Sequence, residues 1–527
     1  MNINIVISVT LSLVLLWSCG KGEDSETSEN IAPKIEAQNF KVLENISSDT
    51  KIGPVEAIDE NHDKLLFDTL DNELFEIDDS GYLSLINGKT LDYEFAKEHN
   101  VTVIVSDGKA DNKASITIEV LNVDDGMSED PNSFITKWEI PNDNFELTIG
   151  TSTVLSYNYS IDWGDGSQVE NLSIKNPTHI YENSGTYFVA IQGAFPHIMM
   201  REQPLHNRKA LKNIEQWGNI SWESFSSAFA LCQWVEYNAT DAPNIDKVER
   251  MDEAFFNAIS FNGDLNAWDV SKVTDMHGMF KGAEVFNGNI SDWNVGNVTN
   301  MGHMFYGASS FSGDLSSWNV SNATRMDGMF YGAIQFNANI GNWNVSNVNR
   351  MDQMFAYAES FNSNIGNWNV SSVTRMDGMF LNASQFNQHI GAWKTSNVEL
   401  MFKMFENASL FNSDIGNWDV ANVANMSEMF LNASSFDQNV SAWDIGSVSG
   451  NSMSNMFDGT IMSRENLNAT LIGWSDYVQQ NNGPFGIKLG IDNLSYCGQP
   501  AIAASKTLVD DYFWELQGNF DQSPNCK

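Results

Sequence analysis

The chain has 527 residues, too many for one compact core, so several domains are expected. Apolar residues make up 42% and charged residues only 18%. Asp and Glu number 68 against 28 Lys and Arg, a formal net charge of -40. That balance argues strongly against nucleic-acid binding, since phosphate recognition needs clustered Lys and Arg. It leaves room for calcium, for cationic partners, or for simple solubility.

The first segment reads as a targeting signal. Ile5 to Trp17 form a mostly apolar run of signal-peptide length, shorter than a membrane span. It ends Leu16-Trp17-Ser18-Cys19, which resembles a bacterial lipoprotein signal. The resemblance implies a lipid on Cys19 as the mature N-terminus, and a signal over residues 1–19. Residues 20–30, GKGEDSETSEN, form an acidic tether that cannot bury enough apolar surface to fold. Such a stretch after the lipid-bearing Cys is similar to the surface-export signals of Bacteroidetes lipoproteins. The implied address is the cell envelope, outer-membrane anchored and surface-exposed. The membrane is then met through the N-terminal lipid alone. Of the other three cysteines, Cys232, Cys497 and Cys526, a secreted chain can pair two. Cys497 and Cys526 flank the final segment and are the expected disulfide.

Residues 31–126 alternate with period two, as in Ser115-Ile116-Thr117-Ile118-Glu119-Val120, between turn signals such as Asp79-Ser80-Gly81 and Asp107-Gly108. This predicts a β-sandwich. The ordered words Glu44-Asn45, Ala57-Ile58-Asp59, Leu91-Asp92-Tyr93-Glu94, Val105-Ser106-Asp107-Gly108 and Asn122-Val123-Asp124-Asp125 resemble a cadherin repeat. The resemblance implies a calcium site drawn from Glu44, Asp92, Glu94, Asp124 and Asp125. Hard carboxylate oxygens at a domain edge are the donors Ca²⁺ takes. The alternative is a solvated acidic domain end.

Residues 134–193 predict a second β-sandwich. Asp162-Trp163-Gly164-Asp165-Gly166-Ser167, His179-Ile180-Tyr181 and Gly185-Thr186-Tyr187-Phe188-Val189 resemble a PKD domain. The Gly-Asp-Gly segment reads as a turn rather than a phosphate loop, because no helix start or Lys follows it.

From about Arg250 the chain repeats every 25 residues. Trp recurs at Trp268, Trp293, Trp318, Trp343, Trp368, Trp393, Trp418 and Trp443. Met recurs from Met276 to Met426, with Phe four residues later from Phe280 to Phe430. A period of this size means stacked coils. Trp293 and Val295 alternate as on a short strand. Met301, Met304, Phe305 and Ala308 fall at i, i+3, i+4 and i+7, one face of a two-turn helix. Eight coils one strand spacing apart give a rod of roughly 40 Å. Trp and Met at fixed positions are expected as core. Asn at Asn294, Asn297, Asn319, Asn322, Asn344, Asn347, Asn369 and Asn422 is expected to bond main chain in adjacent coils.

The unit W-[ND]-V-S-x-V-T-x-M-x-x-M-F-x-x-A-x-x-F-N resembles the surface-protein repeats of BspA-like and mycoplasma lipoprotein families. Its strand part resembles leucine-rich repeats. The resemblance implies an N-terminal cap over 194–250, a solenoid over 251–460 and a C-terminal cap over 461–527. The fold class expected is therefore multidomain: two N-terminal β-sandwiches, then an α/β leucine-rich-repeat-like solenoid of 25-residue coils. The function expected is a surface binding or adhesion protein without catalytic activity. Its ligand is an unidentified protein or glycan on host, matrix or neighbouring cells. A glycan-capturing accessory lipoprotein of a polysaccharide uptake system is the alternative, and a surface enzyme a remoter one. The eight His are scattered, and His277 and His303 lie one register position apart.

Overall fold

The computed structural model describes residues 29–93, 95–121 and 126–525. The lipidation candidate Cys19 and the whole signal lie outside them. The chain divides into two compact units, residues 1–124 and 125–527, and each has its own hydrophobic core.

The first unit is a β-sandwich of two main sheets, with Lys34–Ile35 and Ala57–Ile58 paired as a small third one. One sheet orders Gln38–Leu43, Asp111–Leu121, Glu98–Ser106 and Leu66–Leu70, with only the first pair parallel. The other orders Gly53–Pro54, Tyr82–Leu85 and Phe75–Ile77. Alternation does the sorting. Val101, Val103 and Val105 point inward from Glu98–Ser106, and Ile116, Ile118 and Val120 from Asp111–Leu121, all fully buried or nearly so. Leu83, Leu85 and Phe75 meet them from the second sheet.

The second unit begins with a six-stranded sheet. Its order is Glu170–Leu172, Asn158–Asp162, Gly185–Ala194, Phe134–Ile140, Leu211–Gln216 and Glu236–Tyr237. A second layer pairs Phe145–Thr148 with Thr178–Tyr181. Trp138 and Trp163 are fully buried, and His179 stacks on the Trp163 ring at 4.9 Å. The expected boundary at 194 falls inside this sheet. Phe134–Ile140 pairs antiparallel with Leu211–Gln216, which pairs parallel with Glu236–Tyr237. One apolar core runs on from Phe134 to Trp514.

The repeats form stacked coils held by single parallel bridges, from Arg250↔Asp275 through Leu400↔Asn425. The expected two-turn helix and short strand are absent from the described repeats. Consecutive β-turns take the helix's place: Met354 N–H donates to the Met351 carbonyl, Ala358 to Phe355, and Phe361 to Ala358. Alternate N–H groups serve the next coil instead. Met326 donates to Arg350, Gly328 to Asp352, Phe330 to Met354 and Gly332 to Ala356, at 3.1, 2.8, 2.9 and 2.7 Å. A helix would spend those donors internally and leave coil faces unpaired. The price in geometry is a left-handed residue twice per coil, such as Gly328 and Gly332, or Lys403 and Asn407.

The core is as the period implies. The eight repeat Trp are 1% to 4% exposed. Phe305, Phe330 and Phe355 stack at 5.6 and 5.8 Å between coils, and each coil's own pair, such as Phe330 and Phe336, at 3.8 Å. Only part of the expected Asn set ties adjacent coils: Asn294, Asn319, Asn344 and Asn369 instead accept an N–H two residues on in their own coil, where they cap a turn. Asn297, Asn322, Asn347, Asn397 and Asn422 each donate from Nδ2 to a carbonyl 26 residues back, at 2.7 Å.

After Asn425 the ladder passes to Ser452, which accepts from Met426, and then by the Met453↔Leu489 bridge to Lys488–Gly490. That strand pairs parallel with Glu515–Gln517, and Ser495–Cys497 with Asp521–Ser523. Helix Arg464–Asn481, capped by the Ser463 side chain on Asn466 N–H, packs against helix Gln499–Lys506. Cys497 is disulfide-bonded and Cys232 is free and buried. Cys526 lies outside the described residues.

Candidate functional site

Two of the five calcium candidates can be placed. Glu44 N–H donates to the Leu121 carbonyl at 3.1 Å, so the residue sits where the last strand ends. Its carboxylate Oε2 accepts from Tyr93 N–H at 2.7 Å, and Asp92 Oδ1 accepts from Phe95 N–H at 2.8 Å. The fold therefore brings the Glu44 carboxylate onto the turn that carries Asp92. Both side chains accept main-chain N–H groups of that turn. Glu94, Asp124 and Asp125 lie outside the described residues. Among the described residues, no three His, Cys, Asp or Glu side chains gather as a metal set.

The turn reading of Asp162 to Ser167 fits the geometry: Gly164 and Gly166 have φ of 76° and 82°, and Asp162 accepts from Gly164 N–H. Asp165 also meets His179 Nε2 at 2.7 Å. The repeat Trp, buried as above, offer no stacking platform. Seven of the eight, Trp293 to Trp443, donate the indole N–H to a carbonyl 28 residues back, as Trp318 does to Ile290 at 3.1 Å, and Trp268 donates to the Tyr237 hydroxyl.

One side of the coils carries chemistry that the periodicity alone did not single out. Arg-Met-Asp recurs at 325–327, 350–352 and 375–377. Each Arg grips its Asp through Nε and Nη2: Arg325 to Asp327 at 3.0 and 2.9 Å, Arg350 to Asp352 at 3.1 and 3.0 Å, Arg375 to Asp377 at 3.1 and 3.3 Å. Burial pushes the Asp327 carboxyl up, but Arg325, Arg350 and His303 together outweigh it and hold it below its ordinary value. The His303 ring lies 5.5 Å from Tyr306, and Tyr306 stacks on Tyr331 at 4.2 Å with the rings 1° apart. Lys281 covers one end of this row and Tyr357 the other. The rings of His277 and His303 approach to 5.2 Å, closer than their register suggested. A shift of one position separates Tyr357 from the Tyr306 and Tyr331 column, so a strict 25-residue count misses the row.

A second feature is an open cleft of about 460 Å³ at the last coil, between Lys506, Val509 and Asp510 on one side and Trp514, Leu516 and Phe520 on the other. Its size lies within the range of small ligand pockets.

Fold and surface together define a class: a β-sandwich unit and a body of stacked 25-residue coils with repeated polar columns on the outside. Residues 223–333, 290–373, 313–406 and 362–470 match a family model described as "Mycoplasma protein of unknown function, DUF285". The chain is also similar to solved cadherin structures. The third cadherin domain of human protocadherin 7 is 19% identical, over 20% of this chain and 98% of that one, with a TM-score of 0.17. Human protocadherin-24 EC1-2 is 15% identical, over 34% of this chain and 83% of that one, at 0.18. Mouse cadherin-23 EC22-24 is 17% identical over 30% of this chain, at 0.19, and the match spans 55% of that structure. At these scores the likeness carries no functional argument. No curated protein sequence matches the chain.

Proposed function

We propose that this chain is a surface-displayed binding protein of the adhesion type, anchored by lipid at Cys19 and without catalytic activity. In this reading the coils are BspA-like solenoid repeats, and the two β-units are cadherin-like and PKD-like modules that hold the repeats away from the membrane. The observation that carries it is the division of each coil into a buried Trp, Met and Phe interior and an exterior of repeated Asn, Thr, Ser and Arg–Asp columns. A stiff stack with a periodic polar surface suits multivalent capture of an extended ligand. The net charge of -40 speaks against nucleic acid as that ligand.

The row Tyr306, Tyr331 and Tyr357 beside the Arg–Asp pairs favours a second reading, glycan capture for a polysaccharide uptake system. Calcium at Glu44 and Asp92, completed by Glu94, Asp124 and Asp125, would order the end of the first unit. One experiment addresses all three. Residues 20–527 are applied to glycan and matrix-protein arrays with and without calcium. Binding to one ligand class identifies the partner, and silence in both conditions removes the adhesion and glycan readings together.

A further inference from the structure

The two ends of the coil ladder differ. At the N-terminal end, Phe134–Ile140 lies antiparallel on Leu211–Gln216 and closes the edge. Interior coils bond to a coil on either side. At the C-terminal end the outermost strands are Glu515–Gln517 and Asp521–Ser523. Glu515 N–H donates to Ile487 at 2.8 Å, and Ile491 N–H donates to Gln517 at 3.1 Å. That register turns the N–H and C=O of the residue between, Leu516, away from the stack. In the same way Asp521 donates to Leu494 and Gly498 donates to Ser523, which turns Gln522 outward. These main-chain groups have no bonded partner among the described residues. An unpaired edge is a template for another strand.

The helical side of this end is open too. Helix Arg464–Asn481 is covered by helix Gln499–Lys506, but no described element covers Gln499–Lys506 and the following Thr507–Asp511 in turn. The cleft lies there. Leu516 and Phe520 form its apolar wall, and the nearly buried Trp514 and Tyr496 its floor. On the adjoining segments Phe513 is 70% exposed and Phe485 48%, large rings left in water where the repeat Trp and Phe are hidden. Asp510 and Glu515 line the cleft with Lys506, Asp511 and Asp521 are exposed on the segments beside it, Lys488 pairs with Glu515 at 3.6 Å, and Arg464 shares a surface with Asp521, so acids outnumber bases at this end. Two copies meeting here would oppose like charges, so the charge complement is a cationic partner.

We propose that the C-terminal end of the stack is a docking site for an extended, basic segment of another protein. The segment adds as a strand along Leu516 and Gln522 and places an apolar side chain in the cleft over Trp514. This rests on the binding-protein reading and names one partner chemistry for it.

The test uses residues 20–527 and two dye-labelled peptides of equal charge, followed by fluorescence polarisation. One alternates Lys and Leu over eight residues. The other has Pro in place of two central Leu and cannot pair as a strand. The alternating peptide is expected to bind at least tenfold tighter than its Pro counterpart. The paired change Asp510→Lys and Glu515→Lys, on exposed residues, is expected to remove that binding while leaving the melting temperature of the chain unchanged. Equal affinity for both peptides means attraction to acidic surface in general and overturns the proposal. So does binding that survives the paired change, or no binding at all. A dimer in sedimentation that this change disperses assigns the end to a second copy instead. The same variant on the arrays keeps the two readings separable: array binding that persists leaves the adhesion reading standing when the docking site fails.

Discussion

The indole Nε1–H of Trp343 donates to the main-chain carbonyl of Leu315, one coil back, at 3.0 Å. The bond recurs with the next coil, from Trp368 to Ile340 at 3.1 Å, and onward to Trp443 and Ile415. Each Trp is thus both a filler of its own coil and a tie to the one before. Trp343→Ser opens a cavity and orphans the Leu315 carbonyl, a loss of about 3–5 kcal/mol or more for the cavity alone. Trp343→Phe keeps most of the apolar volume and loses the bond, so it should fall between Ser and the parent. Thermal melts of the three proteins check the order. A Ser variant that melts like the parent would place those rings in water and undo the stacked-coil account.

Glycines in the coils divide by what lies above them. A Cβ on Gly288 would stand 1.7 Å from the Gly263 carbonyl oxygen, a contact only a backbone shift can relieve. A Cβ on Gly307, at φ of 71°, meets nothing nearer than 3.8 Å, and Asn382, Asn407 and Asn432 hold the equivalent place in other coils at 57–58°. Gly288→Ala should therefore lower the melting temperature by several degrees, while Gly307→Asn leaves it within a degree or two. Differential scanning calorimetry on both variants decides it. Equal effects would mean that coil spacing is soft enough to absorb a methyl group.

How much of this was legible in the sequence follows from the same coils. The period, the buried Trp, Met and Phe and the Asn ladders all rest on side-chain identity at fixed spacing, and identity is what a sequence records. The helix was misread because Met301, Met304, Phe305 and Ala308 suit one face of a helix and one face of a turn chain alike. The discriminating signal was present in Gly278 and Gly282, and in Gly328 and Gly332, helix-weakening residues four apart that now hold φ above 57° or at it. The Tyr row escaped because Tyr357 breaks register. The open edge at Leu516 depends on where a ladder of main-chain bonds stops, which no side chain announces.

Burial makes His303 and His197 harder to charge. It pushes both below the ordinary histidine value of 6.5, with Asp327 pulling His303 the other way and Ser226 and Asp252 pulling His197. Lys281, His277 and Arg325 also face His303 and add to the lowering. A histidine with a depressed folded pKa takes up protons more readily when unfolded. Its contribution is whole above about pH 6.5 and is lost as pH falls from there toward the folded value. Melting temperature should drop between pH 7 and pH 5.5. His303→Gln should flatten part of that slope, and the difference between the two curves isolates this residue from protonation of the many carboxylates. Parallel curves would show that His303 titrates alike in both states.

Asp327 is the most deeply placed carboxylate of the Arg–Asp row, its side chain 3% exposed against 14% for Asp352 and 18% for Asp377. It answers two guanidinium groups, Arg325 at 2.9 Å and Arg350 at 4.0 Å, and His303 Nδ1 at 3.7 Å. Asp327→Ala should therefore cost more than Asp377→Ala. The first loss is of order 1–3 kcal/mol for a hydrogen-bonded group shielded from water, the second under about 1 kcal/mol, because Asp377 is more open to water and pairs, among the described residues, with Arg375 alone. Urea unfolding of each variant gives both numbers, and added salt should shrink the second more than the first. Equal losses would mean that water reaches Asp327 as readily as the others, and that the row is a surface ornament of the coils rather than part of what locks them together.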